Sequence, residues 1–457
     1  MKHLCDWMKL PGIAATAIAI SSGAALSRAD VYAGKVLYEL SPPAGFSDVT
    51  SDQSPQTASA GQFVGWGFSQ MGIHAVFWNA SGTATDLNPT GYNSTHAEGT
   101  NGAQQVGYGF GLGGQQALLW SGTSASAVPL NPVGVASGFA FGIGGGKEVG
   151  SGAGPATGGN AHGFLWSGTA ISGVDLHPAG FATSSAFGTD GIHQVGAAHV
   201  VSGDSVPRAM LWSGTAASAV DLTPTGFTKA QAFGVSGSQQ VGNGQTSGGA
   251  THALLWTGTA ASAVDLNPAG IFASAAAGSN GTKQVGYGDN DAMLWSGTAA
   301  SAIDLGSVLP ANGSWGTSVA FTIDASGKIY GLVDGTYNGN TDDFAVVWSP
   351  LLPGDFNRDG HVNSADISAM EGALADLKSF KNANPELSNS QLNYLEDVNG
   401  DGTVNNADLQ RLLTVLKTGG GTSTPVPEPG TIVLAALGGA VIACRALGRR
   451  RESPLTQ

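Results

Sequence analysis

The sequence predicts an all-β seven-bladed β-propeller, then a small all-α calcium-binding domain and a short C-terminal transmembrane helix. Three observations carry this prediction. The middle of the chain repeats one phrase, two acidic loops follow it, and an apolar stretch near the end lies between a Pro-Glu-Pro triplet and a cluster of arginines.

The repeats come first. Trp78, Trp120, Trp166, Trp212, Trp256, Trp295 and Trp348 recur at spacings of 42, 46, 46, 44, 39 and 53 residues. A steady period of this size marks stacked or radial repeats. Two further words keep the same step. One reads ELSPPAGF (39–46), DLNPTGY (86–92), PLNPVGV (129–135), DLHPAGF (175–181), DLTPTGF (221–227), DLNPAGI (265–271) and the degenerate DLGSVLP (304–310). The other is a Val-Gly pair at 64–65, 106–107, 149–150, 195–196, 241–242 and 285–286, with Tyr330-Gly331 last. Each repeat holds about four short apolar runs bounded by Gly, Ser, Asn and Pro, the pattern of strands and turns, and no run has a helical apolar period. Four strands in about 40–45 residues is the size of a propeller blade.

The order of the words predicts closure. The array opens on VLYEL (36–40) and ends on AVVW (345–348), each lacking the partner that its counterparts have inside the array. Pairing the two removes both open edges, whereas a linear solenoid would need caps. Burying one tryptophan removes about 150–250 Å² from water, or roughly 4–6 kcal/mol before entropy. Seven equivalent tryptophans therefore predict a core between neighbouring blades.

The domains read as 1–29 a secretory signal, 30–352 the propeller, 353–418 the calcium domain, 419–426 a linker and 427–451 a sorting tail. Lys2 and Lys9 precede the apolar stretch Gly12 to Leu26, and Ser27-Arg28-Ala29 offers small residues for cleavage. Both cysteines, Cys5 and Cys444, lie in the end segments, so disulfides have no part in the body. The whole chain has formal charge −14; residues 1–29 carry +2 and 430–457 carry +3, leaving −19 on the body. Such a body repels nucleic acid and anionic lipid, and suits cations, neutral glycans and basic surfaces.

DFNRDGHVNSAD (355–366) and DVNGDGTVNNAD (397–408) match the calcium-loop pattern of ligands at positions 1, 3, 5, 7, 9 and 12 with glycine at 6. The first loop offers Asp355, Asn357, Asp359, the carbonyl of His361, Asn363 and Asp366; the second offers Asp397, Asn399, Asp401, the carbonyl of Thr403, Asn405 and Asp408. These are hard oxygen donors, and the three carboxylates of each loop repel one another until a cation arrives, so binding and folding are expected to be coupled. Two Ca2+ sites are expected. The apolar stripes Ile367, Met370, Leu374, Leu377 and Leu409, Leu412, Leu413, Leu416 predict two helices that pack together.

With Asp at position 12 and one helix per loop, residues 353–418 resemble a type I dockerin. The resemblance implies calcium binding and a cohesin-like partner read through loop positions 10 and 11, here Ser364-Ala365 and Asn406-Ala407. These depart from the Ser-Thr pair of cellulosomal dockerins, and residues 379–396 are an insertion, so a cellulosomal cohesin does not carry over. Pro427-Glu428-Pro429, the apolar stretch Thr431 to Cys444 and Arg445, Arg449, Arg450 and Arg451 resemble a PEP-CTERM sorting tail. That resemblance implies processing by an exosortase. The apolar stretch spans about 21 Å as a helix, short of the ~30 Å hydrocarbon core, which suits a transient membrane anchor. HAVFW (74–78), HGFLW (162–166) and HALLW (252–256) resemble the HAF extracellular repeats, which imply no activity.

His74, His162 and His252 stand four residues before their tryptophans, where other repeats carry Gln116, Arg208, Asp291 and Phe344. They read either as a metal ring or, since the position varies, as strand histidines bonded to a neighbouring blade's backbone. Glu39, Asp86, Asp175, Asp221, Asp265 and Asp304 recur before a leucine and read as turn-fixing groups. Glu98, Glu148, Asp190 and Asp324 break the repeat and are the candidates for a glycosidase pair. No nucleophile triad, phosphate loop or zinc motif accompanies them. The function expected is a non-catalytic secreted or cell-surface binding protein, sited at the cell envelope, surface or extracellular matrix. The alternative is a polysaccharide-degrading enzyme, or a component of such an assembly, acting on an extracellular glycan.

Overall fold

The computed structural model describes residues 31–51, 56–201 and 206–417. Residues 31–350 form an all-β propeller and 353–417 a helical module; the expected signal segment and sorting tail lie outside the described residues. Among those residues no helix is long and apolar enough to cross a membrane.

One repeat shows why the phrase recurs. Phe227–Ser236, Gln239–Thr246, Thr251–Trp256 and Val264–Asp265 form one antiparallel sheet in that order. The Val-Gly word crosses the first strand at a β-bulge between Ala232 and Gly234. A Cβ on Gly242 would lie 2.0 Å from the Gln231 carbonyl oxygen, so no other residue fits there. The residue before the Val-Gly pair reaches across to the turn after the tryptophan: Gln240 Oε1 accepts from Gly258 N at 2.7 Å. That turn holds Gly258 at φ +87, and Ser262 Oγ accepts from Thr257 N and donates to the Thr259 carbonyl. The leucine of the DL word, Leu266, is fully buried.

All seven tryptophans are 0 % exposed. Each lies in a cluster shared with the preceding repeat, as Trp256 does with Val195, Leu211 and Leu222. Buried hydroxyls stitch the sheets together as well: Thr95, Ser184, Ser274 and Ser318 accept backbone N–H groups from Ala75, Gly163, Ala253 and Ala292. The ring closes as the sequence predicts. Tyr32–Glu39 pairs antiparallel with Asn340–Pro350, setting Val36 opposite Val346 and Glu39 opposite Phe344.

The sheet count differs from the expected seven separate blades. Five sheets of four or five strands stand apart, and the sixth has eight strands. Its halves are joined by one parallel bridge, Ser137 to Gln115, where Ser137 Oγ also donates to Gln115 Oε1 at 2.6 Å. A single backbone bridge of this kind leaves no trace in apolar periodicity.

The module contains α1 (Ala365–Ala375), α2 (Leu377–Ala383), α3 (Asn389–Glu396) and α4 (Asn406–Lys417). Helices α1 and α4 follow the two loops and share a core of Phe356, Met370, Ala373 and Leu412, flanked by Ile367, Leu374, Leu409 and Leu416. Leu413, expected in that stripe, is exposed instead. The inserted stretch forms α2 and α3. Ser388 and Gln391 cap α3 reciprocally, and Leu387, Leu392 and Leu395 pack on Ala33 of the propeller and on Leu351 just after its last strand. Gln391 Nε2 donates to the Tyr32 carbonyl at 2.8 Å, so the insert sits on the strand that closes the ring.

Candidate docking module and propeller mouth

The two acidic loops share the same framework of hydrogen bonds. In the first, Asp366 accepts from Asn357 N and Asn363 N, and Asp355 from Asp359 N and Gly360 N. In the second, Asp408 accepts from Asn399 N and Asn405 N, and Asp397 from Asp401 N and Gly402 N. Asn357 and Asn399 each accept from the backbone two residues on, as do Asp359 and Asp401 from His361 N and Thr403 N. Gly360 at φ +90 and Gly402 at φ +83 make the sharp turns. Asp366 and Asp408 are wholly buried, while Asn357, Asp359, Asn399 and Asp401 are exposed around them. Burial raises the Asp355 carboxyl above its usual range; bonds from Gly360 and Asp359 N–H groups oppose this, and Asp366 and Asp359 add repulsion. Among the described residues no three His, Cys, Asp or Glu side chains form a ready-made metal cluster. Asparagines alternate with the carboxylates, and the carboxylates are turned onto backbone N–H groups. The donor set is nonetheless all hard oxygen at the spacing that calcium takes, so the residues fit that ion.

Ser364, Ala365, Asn406 and Ala407 are exposed, at the starts of α1 and α4. Arg358 ties the first loop to the insert through Glu386 Oε1 at 2.6 Å and Asn384 Oδ1 at 2.9 Å.

Most of the propeller's singled-out side chains bond within the propeller itself. His74, His162 and His252 do not form a ring, nor do they bond the neighbouring blade's backbone through Nδ1. Each places Nδ1 2.7–2.8 Å from the acid of its own repeat, Asp86, Asp175 or Asp265. Arg208 does the same with Asp221 at 3.0 Å. The other carboxylate oxygen fixes a turn, as Asp175 Oδ1 does by accepting from His177 N. Glu148 replaces the repeated glutamine and accepts from Gly168 N. Asp190 and Asp324 each accept two backbone N–H groups in a hairpin turn, the place of Asn101 and Asn280 in other repeats. Glu98 is buried in a first strand.

A cavity of about 380 Å³ lies among residues of the first and the last two repeats, and none of those four carboxylates lines it. Its walls include Thr50, Tyr287, Asp289, Asn290, Asp334 and Asp343. It lies at the last repeat, which carries the irregular 53-residue spacing. That departure is the sequence signal that could have found it. Burial, then Asp342, Asp334 and Asp48, holds the Asp343 carboxyl above its usual range. The folded state thus binds the proton more tightly than the unfolded chain. Stability rises as pH falls from neutral toward that raised value, above the ordinary ~4, and is lowest when Asp343 is ionised. Asp343→Asn should therefore raise Tm at pH 7 by about 1–2 °C, a small effect because water screens the mouth. It should also flatten the gain on acidification; thermal melts at both pH values check this, and a lower neutral Tm rules out the repulsion.

Comparison with known proteins fits this division. Residues 353–417 match the Dockerin type I domain family, and residues 425–451 match the PEP-CTERM protein-sorting motif. The propeller repeats lie outside both matches. Dockerin type I domains bind calcium, which supports Ca2+ as this module's ion. A dockerin implies a cohesin partner and the tail implies exosortase processing; together they indicate an exported, cell-surface or extracellular protein. No curated protein matches the chain.

Similar solved structures include the β-propeller domain of the Trilobed protease from Pyrococcus furiosus, at 8 % identity and TM-score 0.43, covering 66 % of this chain and 95 % of that one. TolB from Acinetobacter baumannii is 11 % identical, with TM-score 0.35 and coverage of 53 % and 62 %. The Pyrococcus horikoshii acylaminoacyl peptidase is 10 % identical, with TM-score 0.42 and coverage of 67 % and 52 %. The chain thus spans between half and two thirds of the last two proteins' lengths. At these scores the likenesses carry no functional argument.

Proposed function

We propose that this is a non-catalytic secreted or cell-surface protein that presents a propeller as an interaction platform and docks through a calcium-loaded dockerin module. The observation that carries this reading is the matched bonding of the two loops, which sets the same oxygen donors around two turns. Asp355, Asn357, Asp359, the His361 carbonyl, Asn363 and Asp366 would hold one ion; Asp397, Asn399, Asp401, the Thr403 carbonyl, Asn405 and Asp408 would hold the second. Bound calcium supplies the positive charge that lets each set of carboxylates sit together. The loops then fix the starts of α1 and α4, and with them Ser364, Ala365, Asn406 and Ala407 for a cohesin-like partner.

The acidic mouth supports the platform role, favouring cationic or neutral ligands, including glycans, over nucleic acid. The non-catalytic reading rests on the roles of Glu98, Glu148, Asp190 and Asp324, three of which are spent on backbone N–H groups. The tail would pass through the membrane before exosortase processing.

Capture from the producing cell's envelope tests the reading. The full chain should retain a partner in calcium and release it in chelator, and Asp355→Ala/Asp397→Ala should retain none. Retention that ignores both the chelator and the double substitution would overturn it.

A further inference from the structure

The two loops of the module are related by a shift of 42 residues, and the relation breaks at the residue that precedes each loop, among other places. The residue before the first loop is Gly354, and the residue before the second is Glu396. Gly354, at φ +94, sits against Val362, Val398 and Leu412, 3.2–3.6 Å from where its Cβ would be. The equivalent neighbours of Glu396 are Val404, Phe356 and Met370, and there a cavity of about 130 Å³ remains. Ala373 and Leu374 complete its wall. Glu396 is 1 % exposed, and neither carboxylate oxygen has a hydrogen-bond partner. Of the lining residues, Leu374 and Val404 are half-buried.

A buried carboxylate without a partner is costly, and an apolar filling would be the better-packed solution. The first half adopts that solution, with glycine and Leu412. The second half keeps both the charge and the space. At roughly 30 Å³ per water the cavity has room for a side chain of about four or five heavy atoms. Its walls are aliphatic and aromatic and its one ionisable group is a carboxyl, which is the complement of a cationic head on an apolar stem. Lys381 is the charged neighbour that Glu396 feels, but its ammonium donates to Asn389 Oδ1 at 3.0 Å.

We infer that Glu396 and this cavity form a binding site for an ammonium group on an aliphatic stem, the chemistry of a lysine side chain presented by the module's docking partner. The site has no counterpart in the module's other half, so a partner that inserts such a residue engages one half only. The inference rests on the docking reading for its partner but not for its ligand chemistry.

The test uses the calcium-loaded full chain with n-butylammonium and n-butanol as probes, followed by methyl NMR at Met370 and by calorimetry. Butylammonium should bind about tenfold or more tightly than butanol, and Glu396→Gln should remove that preference while leaving the calcium titration unchanged. Ala373→Leu, which fills the cavity and keeps the carboxylate, should block the probe and keeps the test readable if Glu396→Gln does not fold. Glu396→Gln should also weaken partner capture.

Equal binding of the two probes, or a preference that survives Glu396→Gln, overturns the site. Capture unchanged in Glu396→Gln overturns the partner assignment, as does tighter probe binding in Lys381→Met, which would seat this chain's own lysine in the cavity. If wild-type capture ignores calcium, the docking reading fails while the probe result still stands or falls alone.

Discussion

Trp256→Ala should cost about 3–5 kcal/mol of propeller stability, and so should truncation of each other phased tryptophan. These rings are fully buried between sheets, so truncation leaves a cavity that two β-sheets cannot collapse to fill. Against a total of about 5–15 kcal/mol, one such loss is severe. Replacement by phenylalanine separates two kinds of site. Trp78 Nε1 donates to the Ser41 carbonyl and Trp348 Nε1 to the Leu305 carbonyl, both at 2.9 Å. The indole N–H groups of Trp120, Trp166, Trp212, Trp256 and Trp295 have no partner. Trp78→Phe and Trp348→Phe should therefore cost about 1 kcal/mol more than Trp212→Phe, because each strands a carbonyl as well as losing ring area. Denaturant melts of these three phenylalanine variants check this. Equal costs would mean that ring area alone decides.

The architecture was legible where one residue type is fixed by one need. Tryptophan recurs because only a large ring fills the gap between sheets, and the glycine of the Val-Gly word because a Cβ would strike a carbonyl. Closure of the ring could be read from the missing partner words at residues 36–40 and 345–348. The pairing of His74, His162, His252 and Arg208 with Asp86, Asp175, Asp265 and Asp221 was visible too, but only by reading two columns together. The base occurs only in repeats that have the acid, though not in all of them: Asp291 and Phe344 stand at its place in the repeats of Asp304 and Glu39, and Gln116 stands where the second repeat has Pro129 for its acid. Glu148 looked unusual because carboxylate and amide differ in charge, yet both can accept from the glycine N–H after the tryptophan. Helix α3 carried its own signal in the Ser388 to Gln391 capping box. Its docking on the propeller carried none, since contacts between distant segments leave no local period.

That docking gives calcium a longer reach than the module. Asp397, the first ligand of the second loop, directly follows Glu396, the last residue of α3. Helix α3 holds the ring-closing strand through Leu392, Leu395 and the Gln391 bond to Tyr32, and the Leu395 carbonyl accepts from Gly354 N at 2.9 Å, just before the first loop. An ion that fixes both loops therefore fixes the clamp on Tyr32–Glu39. Every tryptophan of the body lies at or before residue 348, so tryptophan fluorescence reports the propeller alone, while helical circular dichroism reports the module. Calcium at 100 times its Kd should stabilise the module by about 2.7 kcal/mol per site, and part of that should appear as a higher midpoint in the fluorescence melt. Asp397→Ala should abolish the fluorescence shift and leave the first loop's calcium heat. Gln391→Ala together with Leu395→Ala should keep calcium binding and helicity but uncouple the two midpoints. A fluorescence midpoint that ignores calcium in the wild-type chain would show that the strand holds without the clamp, closed by its own ladder to residues 344–350.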